Sequence, residues 1–280
     1  MLKKIFDFFV FSSLFIAVCA VLMAYQVNLL FETPISFNLF GFVFCGSVCS
    51  YNFHWYLTPP LVRDTSEKLA WNLSNKPLHL ILFIAGLVGS GLFALLMIEH
   101  WFWLGVTAFL TFLYSAPKIQ LPLFGYLRKV ALAKTIFLAF AWTHVTTLLP
   151  MVMQSPELTA PQEWFVVNRF FFIYAICILF DYRDVEEDRK AGIRSMITFI
   201  NAKGVDILFW GSLVAYAGTT VIFAGQFNIA ETISLLIPGC ILSLLYYYSK
   251  NNFSDYLYYF ILDGLMMLSA PLLLLAKFAR

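Results

Sequence analysis

The sequence predicts an all-α, polytopic membrane helical bundle of about nine transmembrane helices, and three observations carry that expectation. Of 280 residues, 61% are hydrophobic and only 12% are charged, against about 45–50% and ~25% in a soluble domain. Apolar runs recur at lengths near the ~20 residues a helix needs to cross a hydrocarbon core ~30 Å thick. The basic residues concentrate on alternate connections, as the positive-inside rule requires. The same observations exclude other classes. Disorder needs low hydrophobicity. Five cysteines are too few for a disulfide-framed secreted domain, and Cys19, Cys45, Cys49, Cys177 and Cys240 all sit inside apolar stretches, so they say nothing about redox compartment. A net charge of +2 is too small to suggest a nucleic-acid partner. A transmembrane barrel needs alternating apolar and polar residues, and that alternation is absent. Backbone in lipid must satisfy its own hydrogen bonds, which leaves helices.

In order, the expected spans are 5–24, 36–57, 77–98, 101–116, 130–150, 164–181, 205–225, 229–249 and 256–276, in one domain over 1–280. The first follows Lys3 and Lys4. Its apolar core is long and Tyr25-Gln26-Val27 lacks a small-x-small cleavage pattern, which favours a retained helix over a signal peptide. The second carries Cys45, Cys49, Asn52 and Tyr56 on one face, at i, i+4, i+7, i+11. Small and weakly polar residues in that arrangement suit helix packing better than a metal stripe. The third opens at Asn75-Lys76-Pro77-Leu78. The fourth is short enough to tilt or pack inside the bundle. The fifth contains His144, which like His54 is expected to pack or line a cavity, because a lone His lacks the partners of a metal site. The sixth runs into a charged segment. The ninth contains Asp263, whose depth costs roughly 2.5–3.5 kcal/mol. It is expected to face the interior and pair with a polar or basic group, either as a structural hydrogen bond or in a substrate cavity. Trp71, Trp101, Trp103 and Trp164 fall near span ends, as interfacial aromatics do.

With the N-terminus inside, 15 of the 18 Lys and Arg lie on the cytoplasmic side, and only Arg169, Lys277 and Arg280 fall opposite. The outer loops carry Glu32, Glu99, Glu157 and Glu163 instead. The long polar connections 58–76, 117–129 and 182–204 are all cytoplasmic in this arrangement. An integral, multi-pass protein with its active face in the cytoplasm follows.

The sharpest chemical feature is Phe180-Asp181-Tyr182-Arg183-Asp184-Val185-Glu186-Glu187-Asp188-Arg189-Lys190-Ala191-Gly192, at the end of the sixth span. Asp181, Asp184 and Asp188 are spaced i, i+3, i+7 and share one narrow helix face. Three carboxylates on one face repel unless a cation holds them. Mg²⁺ takes such oxygen ligands and shares them with substrate phosphates. Arg183, Arg189, Lys190 and Arg194 are near enough in sequence to hold phosphate oxygens. The alternative is a solvated helix end whose acids pair with the neighbouring bases.

These residues resemble the UbiA superfamily of intramembrane aromatic prenyltransferases. Asp181, Asp184, Asp188, Gly192 and Ser195 match, in order, its second motif, Asp-x-x-Asp-x-x-x-Asp followed by Gly and Ser or Thr. Tyr114-Ser115-Ala116-Pro117-Lys118 is similar to the family's Tyr-Ser-x-Pro segment with a following base, and Lys76-Pro77-Leu78 to its basic-Pro-Leu segment. The first family motif, Asn-x-x-x-Asp-x-x-x-Asp, is degenerate: Asn52 is followed by Tyr56 and Pro60, and His54 points to another face. The resemblance implies nine helices and transfer of a prenyl group from an allylic isoprenyl diphosphate to an apolar, aromatic acceptor. It implies Mg²⁺ on Asp181, Asp184 and Asp188. Lys118, Arg194 and Lys76 would neutralise the leaving group, and Asn52, Tyr114, Arg189 and Asp263 would contact substrate. With the first motif lost, the site uses one metal plus bases, or Asp64 or Glu67 substitutes, or the reaction is no longer catalysed. That last case is a non-catalytic relative that binds a prenyl lipid or scaffolds a membrane complex. A small-solute transporter fits less well, since its site would lie near the midplane. No P-loop and no His-Glu-x-x-His motif is present.

Overall fold

The computed structural model describes residues 2–58, 66–115, 134–155, 157–190 and 196–278. Among them are helices and connections but no strand. The helices are α1 (Leu2–Phe11), α2 (Leu14–Phe31), α3 (Phe37–Leu57), α4 (Glu67–Ser74), α5 (Lys76–Leu95) and α6 (Trp101–Ser115). Next comes α7, which runs Lys134–Thr143, widens into a π turn at His144–Leu148 and ends as Leu149–Val152. Then follow α8 (Ala160–Lys190), the short α9 (Met196–Phe199), α10 (Ala202–Ala224) and α11 (Ile229–Asn251). The last, α12, opens with a π turn, Leu257–Leu262, and continues as Asp263–Phe278.

Seven of the described helices are long and apolar enough to cross a bilayer. The expected count of nine is therefore not confirmed. Helix α3 has the length, at 21 residues, but its Asn38, Ser47, Ser50, Asn52 and His54 dilute its hydropathy. Helix α6 has 15 residues, about 22 Å at 1.5 Å per residue, which falls short of a ~30 Å core. The first span also differs from expectation. The chain breaks at Ser12-Ser13, where Ser13 takes a left-handed φ of 68°, so the spanning helix is Leu14–Phe31 rather than 5–24. Tyr25-Gln26-Val27 thus lies inside a helix, with Gln26 and Val27 buried.

Neighbouring helices pack in the sequence α2, α3, α6, α7, α8, α10, α11, α12, and α12 returns to α2. Helix α5 lies outside this ring against α3. That contact is close: a Cβ added at Gly86 would stand 2.6 Å from the Cys49 backbone nitrogen, and one at Gly89 2.7 Å from the Cys45 sulfur. The Cys45/Cys49 face is a packing stripe. Large apolar side chains point outward, Leu244 at 82% exposure and Val214 at 71% among them. Such surface is costly in water and suits lipid.

The break before α2 is braced from within. The Asn52 amide nitrogen donates to the Ser12 carbonyl at 3.1 Å and to the Val48 carbonyl at 2.8 Å. Its oxygen accepts from His79 Nδ1 at 2.6 Å. Helix α1 then packs across the end of the bundle on α4, with Phe8 and Phe11 meeting the Trp71 ring.

Candidate functional site

Helices α3, α6, α8 and α11 finish at one end of the bundle, where α2, α5, α7, α10 and α12 begin. The acidic segment of α8 lies at this end. Asp181 is buried and accepts a hydrogen bond from the Thr135 hydroxyl of α7. Asp184 is one-third exposed, its side chain at 33%, and accepts from Arg183 Nε at 2.7 Å. Asp188 and Arg189 continue the helix, with side chains outside those described. Among the described residues no third His, Cys, Asp or Glu completes a metal-binding group. The two visible acids still suit Mg²⁺, which commonly takes one or two carboxylates and leaves the remaining positions to water and phosphate. Asp184 keeps Oδ2 without a hydrogen bond to any described residue.

Arg183 is the centre of the visible site. Its second terminal nitrogen donates to the Tyr259 hydroxyl at 2.8 Å. The guanidinium lies over the rings of Tyr258, Tyr259 and Phe180, at 4.7, 4.8 and 5.2 Å from their centroids. Consecutive residues of a regular helix point about 100° apart. Here the wide π turn opening α12 brings both tyrosines to one guanidinium. Arg183 Nη1 is buried and has no partner among the described residues.

Near the same Tyr259 ring stands Lys68, which the sequence presents only as one more base in a polar connection. It is 4% exposed. Its ammonium lies 3.8 Å from the Tyr259 centroid, 5.0 Å from Trp55 and 5.8 Å from Phe11. It makes no hydrogen bond or ion pair with the described residues. The N-terminus of α4 fixes this placement. Ser66 caps the helix, accepting from the Leu69 N–H at 3.1 Å. The Asp255 carboxylate accepts from the Ser66 hydroxyl at 3.0 Å and from the Lys68 N–H at 2.9 Å. An acid at a helix N-terminus is stabilised by the unpaired N–H groups there. Burial pushes the Lys68 ammonium down to about 7, with the Asp263 and Asp255 carboxylates opposing the shift and Arg183 adding to it. Both cations lie within 5 Å of the Tyr259 centroid and hence within about 9 Å of each other. At an effective dielectric of ~20 they repel by about 2 kcal/mol or more.

Asp263 faces the interior, 8% exposed, one turn below Tyr259. It lies within electrostatic reach of Lys68, Arg183, Tyr51 and Cys19. The expected polar neighbour is there, but no described residue forms a hydrogen bond or ion pair with it. Tyr114 stacks on His54, with centroids 4.8 Å apart and planes at 17°, and both continue a wall with Tyr51, whose hydroxyl accepts from Trp142 Nε1 at 3.1 Å. Asn52 belongs to the brace at Ser12. Lys76 is half-buried at the start of α5 and makes no hydrogen bond or ion pair with the described residues. Lys118 and Arg194 lie outside the described residues, as does Asp64. Glu67 turns away, to Lys3 at 3.1 Å and the Tyr256 hydroxyl at 3.4 Å.

The sequence alone missed Lys68, Tyr259, Trp55, Thr135 and Asp255. A faint signal exists for the first: Ser66 three residues before Leu69 marks a helix start, which places Lys68 on an ordered turn and not in a loose loop.

No family model and no curated protein matches the sequence. Among solved structures the chain is similar to the apo structure of a UbiA homolog from Aeropyrum pernix K1, with 14% sequence identity, 96% of each chain covered and a TM-score of 0.59. At that identity the likeness shows the fold, a UbiA-type helical bundle.

Proposed function

We propose, from a fold shared with a UbiA homolog, that the chain binds an isoprenyl diphosphate at the Asp181–Arg183–Asp184 end of the bundle, on the cytoplasmic face, and transfers the prenyl group to an apolar, aromatic acceptor. One observation carries the reading. An arginine with a buried, unpartnered Nη1 is held by aromatic rings beside the Asp184 carboxylate, at one end of the bundle. A buried donor without a partner costs about 1–3 kcal/mol, and an anionic ligand removes that cost. Arg183 binds the diphosphate and stabilises charge as the carbon–oxygen bond breaks, a contribution of the kind that dominates many enzymes. Lys76, Lys118 and Arg194 would add positive charge for the leaving diphosphate, as the family resemblance implies. Tyr258, Tyr259 and Phe180 exclude water, and their faces favour an allylic cation. The prenyl chain enters the apolar bundle past Asp263. Mg²⁺, held by Asp181, Asp184 and Asp188, would act as a Lewis acid on the leaving diphosphate.

The test incubates membranes with labelled farnesyl or geranylgeranyl diphosphate and candidate quinone precursors, with and without Mg²⁺. Prenylated product that needs Mg²⁺ and is lost in Asp184→Ala is expected. Diphosphate release that needs neither refutes the reading. A non-catalytic prenyl-lipid binder is the second reading. It is favoured by Asn52, whose amide is committed to Ser12, Val48 and His79, and by Tyr56 and Pro60 where a first acidic cluster would stand. Metal-dependent diphosphate binding without turnover would identify it.

A further inference from the structure

Lys68 carries charge where charge is expensive. Its stem is long enough to reach water from most exposed helices, yet the ammonium is turned inward over Tyr259 at 3.8 Å. The acids that could neutralise it do not touch it. The Asp255 carboxylate is engaged by the Ser66 hydroxyl and the Lys68 backbone, and Asp263 forms no ion pair with any described residue. The chain therefore holds α4 by a carboxylate 187 residues away and leaves the ammonium with three spare donors. Arg183 stands on the same ring, with Nη1 buried and unpartnered. Two like charges with spare donors in one aromatic pocket repel each other when empty. A multiply charged anion relieves the repulsion and supplies oxygens to both, and phosphate oxygens suit a guanidinium fork and an ammonium alike.

We infer that Lys68 and Arg183 form a metal-independent seat for the terminal phosphate of a prenyl diphosphate, Lys68 supplying positive charge in a chain whose degenerate first motif has no acids to hold a metal. The inference rests on the proposed diphosphate-binding function and deepens it. Asp184 lies beside the seat, bonded to Arg183 Nε, and would serve the phosphate attached to the prenyl carbon together with Asp181.

Full-length protein in detergent is titrated with inorganic pyrophosphate, farnesyl diphosphate and dioleoyl phosphatidic acid, each in EDTA and in Mg²⁺. Pyrophosphate and farnesyl diphosphate are expected to bind in EDTA. That binding should weaken about tenfold or more in Lys68→Met, the loss of a charge-assisted contact, and return to within threefold of wild type in Lys68→Arg. Lys68→Met should melt no lower than wild type, because it replaces a buried charge with an apolar chain of similar length. If it does not fold, the wild type and Lys68→Arg in EDTA still decide. No pyrophosphate binding by folded wild type in EDTA overturns the inference, as does unchanged affinity in Lys68→Met, or tighter binding of phosphatidic acid than of either diphosphate. Mg²⁺-dependent prenyl transfer with an unaffected Lys68→Met would sink the seat and leave the proposed function standing. Lys68-dependent binding of pyrophosphate without any transfer would do the reverse.

Discussion

Replacing Asn52 separates bracing from substrate contact. Asn52→Ala removes an amide that is fully buried and leaves two groups without partners. The Ser12 carbonyl loses its donor, and His79 Nδ1 loses its acceptor. The Val48 carbonyl lies within α3 and keeps its helical partner, so its loss is small. Each orphaned buried group costs about 1–3 kcal/mol, which puts the total at about 2–6 kcal/mol. The partner variant His79→Phe removes one of the two orphans. The double variant should therefore be less destabilised than the sum of the singles, by about 1–2 kcal/mol of coupling. The assay is reversible unfolding in mixed micelles, read by tryptophan fluorescence, since Trp55 and Trp71 flank the brace. Asn52→Ala with wild-type stability and strictly additive singles would refute the bracing role and return Asn52 to the substrate.

Four further outcomes are expected. Pyrophosphate affinity should fall as pH rises through about 7, because the lowered Lys68 ammonium is charged below that value and neutral above it, while Asp263, Asp255 and Arg183 are the charged groups facing it. Measured relative to Lys68→Arg, which stays charged and cancels the titration of pyrophosphate itself, the decline should persist, and a flat ratio argues against Lys68. The same ammonium lowers folding stability by an amount constant below pH 7. That loss is recovered as pH rises from about 7 towards the ordinary lysine value of 10.5, because the unfolded chain alone keeps the proton there. Asp255→Ala should cost about 1–2 kcal/mol through the start of α4 and weaken pyrophosphate binding in EDTA; equal melting and equal affinity would disconnect Asp255 from Lys68. Gly86→Ala should destabilise by about 1–3 kcal/mol, since its Cβ meets the Cys49 backbone at 2.6 Å. Gly91→Ala, with nothing within 4 Å, should leave the melting temperature unchanged.

The hydropathy of the chain, read residue by residue, determined that it forms apolar helices and in what order, because in lipid a helix satisfies its own backbone and needs no distant partner. It also placed Asp181 and Asp184 on one helix and Asp263 inside another. Three things were decided only by contacts between distant residues. The break at Ser12-Ser13 exists beside Asn52, 40 residues away. Arg183 finds Tyr259 across 76 residues. Lys68 looks like any base in a polar connection until Asp255 pins α4 and turns the ammonium under Trp55 and Tyr259. Helix formation is a local property, whereas the burial of a charge depends on what the rest of the fold brings to it, and periodicity carries no record of that.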